Sequence, residues 1–298
     1  MEEKKHKKKI DIATIVVFLI LVIDVAVIYI QYVWGILTSF KSNLDFRYNP
    51  FGLPSVWEWS NYAKVFEKFF TTYTDVEAGY TQTFYFGDML FNSVVYALVA
   101  PMVPTIVTYM LAYCRNRYNF SALRILDVCV YVAMALPIYG TLASSIQVFR
   151  FFNIMNNFLA FVTIAQMGGW LGMNYFIMGS MVKSIPKAFV EAAEIDGAGE
   201  IQILFKVMLP LTMSVILTIY VLSVISAWNE WQTPLIYLRN MPTAAYGIYV
   251  VKNKSGDVSR VQYKLAACFM LVAPILIVFV IFHDKIMRGV SLNSGVKE

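Results

Sequence analysis

The stretch IATIVVFLILVIDVAVIYIQYVW, from Ile12 to Trp34, decides what kind of protein this is. A helix over it, at ~1.5 Å per residue, is long enough for a hydrocarbon core of ~30 Å. It is too long for the apolar core of a signal peptide, and no small-residue cleavage site closes it. The basic run Lys4, Lys5, Lys7, Lys8 and Lys9 precedes it, as expected for a terminus kept on the inner side of a membrane. Working outward, the whole chain has the same character. Of its 298 residues, 59% are hydrophobic and only 14% are charged. Soluble domains carry about 25% charged residues. Lipid offers backbone groups no water, so only helices and closed barrels span it. The apolar runs here are long and continuous rather than short and alternating, which selects helices.

Five further spans follow, at about Met89–Tyr113, Ile125–Gln147, Phe158–Met181, Met208–Trp231 and Leu265–Ile286. Pro101, Pro104, Pro137 and Pro274 lie inside them. Such prolines are tolerated where neighbouring helices cover the freed carbonyls, so a packed bundle is expected. The expectation is an all-α polytopic membrane protein with six transmembrane helices. It divides into a basic segment over 1–11, a membrane domain over 12–288 and a tail over 289–298. Both termini are expected in the cytoplasm, together with the basic loops at Cys114–Arg124 and Val182–Val207. The net charge of +5 follows from that placement rather than from nucleic acid binding. Cys114, Cys129 and Cys268 have no metal or redox spacing, and His6 and His283 lie at opposite ends, so no metal site is expected.

Two longer segments fall on the outer side, at about 41–88 and 232–264. In the first, Ser60 or Asn61 caps a short helix running to Lys68. Its aromatics, Trp57, Trp59, Tyr62 and Phe66, suit either the bilayer interface or an ordinary packed helix. Thr71–Phe86 reads as an irregular or short-strand excursion.

The informative loop lies at about 182–210. It contains KSIPKAFVEAAEIDGAGE, Lys183 to Glu200. Pro186 suits a helix start. Ala188, Phe189, Ala192, Ala193 and Ile195 give a short apolar surface of small residues with one bulky knob. Gly197 and Gly199 end that helix, a second short helix runs from Gln202 to Val207, and Pro210 opens the fifth span. The residues alone leave two roles open: folding back on the bundle, or presenting a face that another protein approaches closely.

The pattern Glu191-Ala192-Ala193, Gly197, Val207 and Leu209-Pro210 resembles the EAA motif of binding-protein-dependent ABC importer permeases. Val207 stands where isoleucine is usual. Asn92-Ser93, Ala112-Tyr113, Trp228-Asn229-Glu230 and the C-terminal Arg288-Gly289-Val290 and Gly295-Val296-Lys297 extend the likeness to the second, six-span subunit of maltose-type permeases. Residues 69–88 look like an insertion. The resemblance implies a type I importer permease fold in a prokaryotic plasma membrane. Its loop would be a coupling helix docking on a cytoplasmic ATPase through Ala188, Glu191, Ala192, Ala193, Asp196, Gly197, Val207, Leu209 and Pro210. It implies a second permease subunit, two ATPase copies and an extracellular solute-binding protein. The implied cargo is an oligosaccharide or other saccharide, with polyamines or amino acids as the alternative. The chain has no Gly-x-x-x-x-Gly-Lys-Ser/Thr loop, so it is not expected to hydrolyse ATP itself; the resemblance implies a transporter subunit rather than an enzyme, with ATP and Mg bound by the partner ATPase.

A proton-coupled secondary transporter would place ionisable groups within spans. Asp127, Glu230 and Asp284 lie near span ends, where the cost of a charge is low, whereas Asp24 is near mid-span. A hydrogen bond to a neighbouring helix or a proton relay would account for Asp24. Motifs of intramembrane hydrolases are absent. Candidates for a substrate path are Gln147, Gln166, Asn174, Trp228, Asn229 and Glu230, with Trp170 and Tyr175 nearby in sequence. Interhelical hydrogen bonding is the alternative role for each.

Overall fold

The computed structural model describes residues 12–75, 78–118, 121–136, 140–166, 172–254, 256 and 259–293, with side chains in the last helix up to Asp284. The expected basic segment 1–11, Pro137, Trp170 and the end of the tail lie outside these residues. The chain divides into two compact units, 1–68 with 254–270, and 69–253 with 271–298.

In the first unit, α1 (Ile12–Ser39) turns its apolar residues outward along nearly its whole length. No water-soluble protein would expose such a surface, and lipid removes the cost. Below it come α2 (Asn43–Tyr48) and α3 (Ser60–Lys68), the short helix expected from Ser60. Asn61 on α3 is buried and donates from Nδ2 to the carbonyls of Ser39 and Lys41, 2.9 Å each, closing the end of α1. Lys41 is also buried, with its ammonium on the Asn49 carbonyl. Phe40 packs among Trp57, Trp59 and Tyr62. Asp45 accepts from Ser55 N at 2.9 Å and Ser55 Oγ at 2.8 Å.

The second unit opens with an antiparallel hairpin, β1 (Phe70–Asp75) and β2 (Tyr80–Tyr85), paired from Phe70–Tyr85 to Asp75–Tyr80. This is the form taken by the expected excursion at 71–86. Helices α4 (Phe86–Val99) and α5 (Met102–Arg117) follow, interrupted at Pro101, which brings no N–H to the preceding turn. The remaining elements are α6 (Ser121–Ala135), α7 (Leu142–Phe151), α8 (Phe158–Thr163), α9 (Met173–Ser184), α10 (Ala188–Ile195) and α11 (Glu200–Gln202). A π-helical turn, Ile203–Met208, then leads into α12 (Leu209–Asn229), α13 (Gln232–Tyr237) and α14 (Ala244–Lys252). The last helix, α15 (Val261–Asn293), contributes its early residues to the first unit.

The core of the second unit sits where α5, α9, the π turn and α12 meet, around Tyr109, Tyr113, Met178, Val182, Leu204 and Val215. Helix α12 also donates to carbonyls beside two prolines. Tyr220 donates to the Leu98 carbonyl at 2.7 Å, in the turn before Pro101. Trp228 donates to the Leu271 carbonyl at 2.9 Å, in the turn before Pro274. Ser93 on α4 accepts from Ala244 N at 2.7 Å, and a Cβ at Gly247 would lie 2.2 Å from Met89 Sδ, so the end of Met89 would have to shift to admit one.

Among the described residues, four helical stretches are long and apolar enough to cross a membrane: Ile12–Ser39, Phe86–Arg117, Glu200–Asn229 and Val261–Asp284. The other two expected spans, Ile125–Gln147 and Phe158–Met181, are each divided. The first breaks between α6 and α7, where Gly140 takes a left-handed φ of 84°. In the second, α8 ends at Thr163 and α9 begins at Met173.

Asn61→Ala removes the donor that two buried carbonyls share. It is expected to cost ~1–3 kcal/mol, read as a fall in the unfolding temperature of the purified protein. Asp45 supplies a pH dependence. The Ser55 N–H, then the Ser55 hydroxyl, hold its carboxyl below the ordinary aspartate value. A lowered folded pKa stabilises fully above the unfolded value and is lost as pH falls through the folded one. Amide protection at Ser55, corrected for intrinsic rate, should therefore drop as pH falls below the ordinary aspartate range. In Asp45→Asn that dependence should vanish.

Candidate functional site

Two places in the second unit gather the functional candidates. The first is the loop joining α9 to α12. Ile185 is extended before Pro186, and α10 starts two residues later. The helix ends in a Schellman motif. Ala198 N bonds the Ala193 carbonyl at 2.9 Å, and Gly197 N bonds the Glu194 carbonyl at 3.0 Å. This motif needs a left-handed residue at Gly197, whose φ is 78°. After Gly199, the Ile203 N–H returns to the Gly199 carbonyl and the second helix begins. Leu209 N reaches back to Leu204 O, so the helix is in π register where Val207 lies and regains α register at Leu209 and Pro210. Pro210 brings no N–H, and the register changes beside that missing donor.

Helix α10 has two faces. Val190 and Ala193, with Ala198 beyond it, pack on the core of α5, α9 and α12. Ala188, Glu191, Ala192 and Asp196 are exposed, as are Phe189 (51%) and Ile195 (86%). The alanines of the motif thus separate: Ala193 faces its own bundle, and Ala192 lies on the open face between the two bulky side chains. Behind α10, Arg117 at the end of α5 pairs with Glu194 and with Glu200, the latter at 2.9 Å. Tyr113 donates to the same Glu200 at 3.4 Å, and Asn116 donates to the Gly179 carbonyl of α9 at 3.2 Å. Sequence reading missed Arg117, because its partners lie 77 and 83 residues away.

The second place is a cavity of about 280 Å³ between α4, α5, α9 and α12. Three substrate-path candidates meet there: Gln166, Asn174 and Glu230. The other three do not. Gln147 is exposed on α7, and Asn229 is exposed with its amide on Ile225 O at 3.0 Å. Trp228 faces an apolar crevice with Leu90, Val94 and Pro274, its indole committed to Leu271. The cavity adds hydroxyls that sequence reading passed over, Thr105 and Thr108 on α5 and Ser223 and Ser226 on α12. Each pair is spaced i, i+3, and Ile219, Ser223, Ser226 and Glu230 make one helical stripe, which was the available signal. Thr105 and Thr108 donate to Pro101 O and Pro104 O, leaving lone pairs for a ligand. Glu230 accepts from Gln232 N and Thr233 N at 2.8 and 3.2 Å, so its carboxylate is partly spent on the start of α13.

Of the other ionisable groups, Asp127 pairs with Arg115 at 2.6 Å and accepts from the Tyr175 hydroxyl at 2.7 Å. Asp24 is exposed on α1.

Residues 105–292 match the family described as binding-protein-dependent transport system inner membrane component. The chain is 25% identical over 281 residues to the diacetylchitobiose uptake system permease protein NgcG of Streptomyces coelicolor, covering 92% of this chain and 86% of that one. It is 26% identical over 267 residues to the arabinooligosaccharides transport system permease protein AraQ of Halalkalibacterium halodurans, covering 88% of each. It is 25% identical over 206 residues to the sn-glycerol-3-phosphate transport system permease protein UgpE of Yersinia enterocolitica, covering 68% and 72%. Its fold is similar to a chain in the crystal structure of a bacterial ABC transporter involved in the import of the acidic polysaccharide alginate. The TM-score is 0.73 at 20% identity, over 95% of this chain and 98% of that one.

The position of Trp228 separates scaffold from path. Trp228→Phe keeps an aromatic ring but deletes the bond to Leu271 and part of the buried indole, expected to cost ~1–3 kcal/mol. The unfolding temperature should fall while transport by the intact protein keeps its substrate affinity.

Proposed function

The chain belongs to the family of binding-protein-dependent transport system inner membrane components and is a membrane permease subunit of an ABC importer; from that premise, we propose that it passes saccharides through the α4–α5–α9–α12 cavity, driven by an ATPase docked on α10. The observation that carries this reading is the pairing of that polar cavity with the open face of α10. The cavity offers amides and hydroxyls, the groups that match a neutral polyol. Its one carboxylate already accepts two backbone N–H groups, which suits a neutral cargo better than a cation. The diacetylchitobiose and arabinooligosaccharide permeases favour the same class.

On α10, Phe189 and Ile195 stand exposed on either side of Ala192, with Glu191 beside them. Two bulky apolar groups around a small one make a knob-and-notch face, and Glu191 adds a charge for a basic partner residue. An ATPase on this face places the loop in the cytoplasm. With α6–α7 and α8–α9 each counted as one crossing, six crossings put both termini there too. The hairpin β1–β2 then lies outside, on the side of a solute-binding protein. A second permease subunit completes the path, and two ATPase copies hold ATP and Mg. Nucleotide favours one state of the assembly and shifts its equilibrium.

The decisive experiment purifies the complex through a tag on this chain and measures ATP-dependent uptake of labelled oligosaccharides in proteoliposomes. Uptake supports the reading. ATP hydrolysis stimulated by a polyamine or an amino acid, with no saccharide response, overturns the saccharide part. Ser223→Leu fills the cavity and should cut uptake at least tenfold while basal hydrolysis persists. Gly197→Asp forces a side chain into left-handed backbone at ~1–2 kcal/mol, although open space lies around its Cβ. It should insert normally yet uncouple uptake from hydrolysis. Gly197→Asn, which tolerates that backbone better, should retain more uptake.

A further inference from the structure

Helix α10 is joined to α11 through the turn at Gly197–Gly199, and that turn is not walled in. A Cβ at Gly197 or at Gly199 would meet nothing within 4 Å. Besides the Schellman bonds and the packing of Val190, Ala193 and Ala198, Arg117 spans the turn, its guanidinium pairing with Glu194 before it and Glu200 after it. These side chains are partly exposed, 26% for Arg117, 44% for Glu194 and 48% for Glu200. Pairs of that kind add little stability, so their value lies in geometry. A guanidinium is a rigid planar fork that holds two carboxylates at once, which a lysine ammonium on a flexible stem does not reproduce.

The element carrying Arg117 also matters. Helix α5 lines the cavity with Thr105 and Thr108 and runs without a break to Arg117, about 18 Å at ~1.5 Å per residue. One turn before Arg117, Tyr113 bonds the same Glu200. Glu200 in turn opens the helical stretch that runs through α12 to Ser223 and Ser226. One side chain therefore joins the docking helix to both helices that carry the cavity hydroxyls.

We propose that Arg117 is a positioning residue that makes α10, α5 and the root of α12 move as one body, so that displacement of α10 by the ATPase reaches the cavity instead of being absorbed at Gly197. The proposal rests on the ATPase-docking reading above and deepens it.

The test uses the complete transporter complex, with Cys114, Cys129 and Cys268 replaced by serine. Spin labels at Met102→Cys and Lys187→Cys, both exposed and the second at the start of α10 outside the proposed docking face, report the distance from the cavity end of α5 to α10. It is measured nucleotide-free and trapped with ADP, Mg and vanadate. With Arg117 present, one narrow distance should persist in both states. With Arg117→Gln it should shift on trapping by about half a helical turn, ~3 Å, or its width should double. Arg117→Lys should behave as Arg117→Gln. Arg117→Glu should be worse, and Arg117→Glu with Glu200→Arg should restore the narrow distance. Assembly of each variant is checked by gel filtration. An unchanged distance in Arg117→Gln overturns the proposal. So does failure of the charge swap to restore what Arg117→Glu loses, because that marks general damage. A separate label at Ile195→Cys reads docking directly. If it keeps its full mobility in the assembled complex, the docking reading fails and this proposal falls with it.

Discussion

A carbonyl inside a bilayer has no water to accept from, so every break in a membrane helix needs a donor from another helix. In this protein α12 supplies two of them. Tyr220 bonds Leu98, three residues before Pro101, and Trp228 bonds Leu271, three residues before Pro274. The two aromatic residues stand eight apart on α12, just over two turns along it. The α4–α5 interruption and the Pro274 region of α15 are thus both bonded from one helix. That arrangement permits the polar cavity, because Pro101 can open α4–α5 beside Thr105 without leaving the backbone unsatisfied.

The parts of this fold legible in the sequence are those encoded locally. The apolar run of α1, the cap region of α3 and the Pro186–Gly197 helix each depend on residues within a few positions of one another. The division of two expected spans was hidden, because average hydropathy over 125–147 or 158–181 does not register where one helix ends and the next begins. The cavity was half legible. Gln166, Asn174 and Glu230 stood out as polar residues in apolar runs, but Ser223 and Ser226 become meaningful only once a helical face is drawn. Trp228 was misleading as a path candidate, since an indole beside an amide and a carboxylate reads as a sugar platform while its actual partner is a carbonyl on α15. The fork at Arg117 was not legible at all, as it joins residues far apart in the chain.

The loop between α9 and α12 also spreads one motif over two faces of a helix. Ala193 is small because the bundle behind it is close, and Ala192 is small beside a face that stays open. Neighbouring identical residues answer to opposite sides of one short helix.

The outward-facing surface of α1 has a consequence for biosynthesis. Its mean hydropathy is 2.9, and none of its most apolar window is buried within the protein. Along most of its length such a helix makes few contacts within this chain, so it can leave the insertion machinery for lipid early. The α4–α5 and α12 stretches differ: about a third or more of each is buried against neighbours. Segments α6–α9 lie between those two in the chain, and α9 packs on α12, which is made after it. The cavity wall is therefore complete only once the helix that carries Tyr220 and Trp228 has been made.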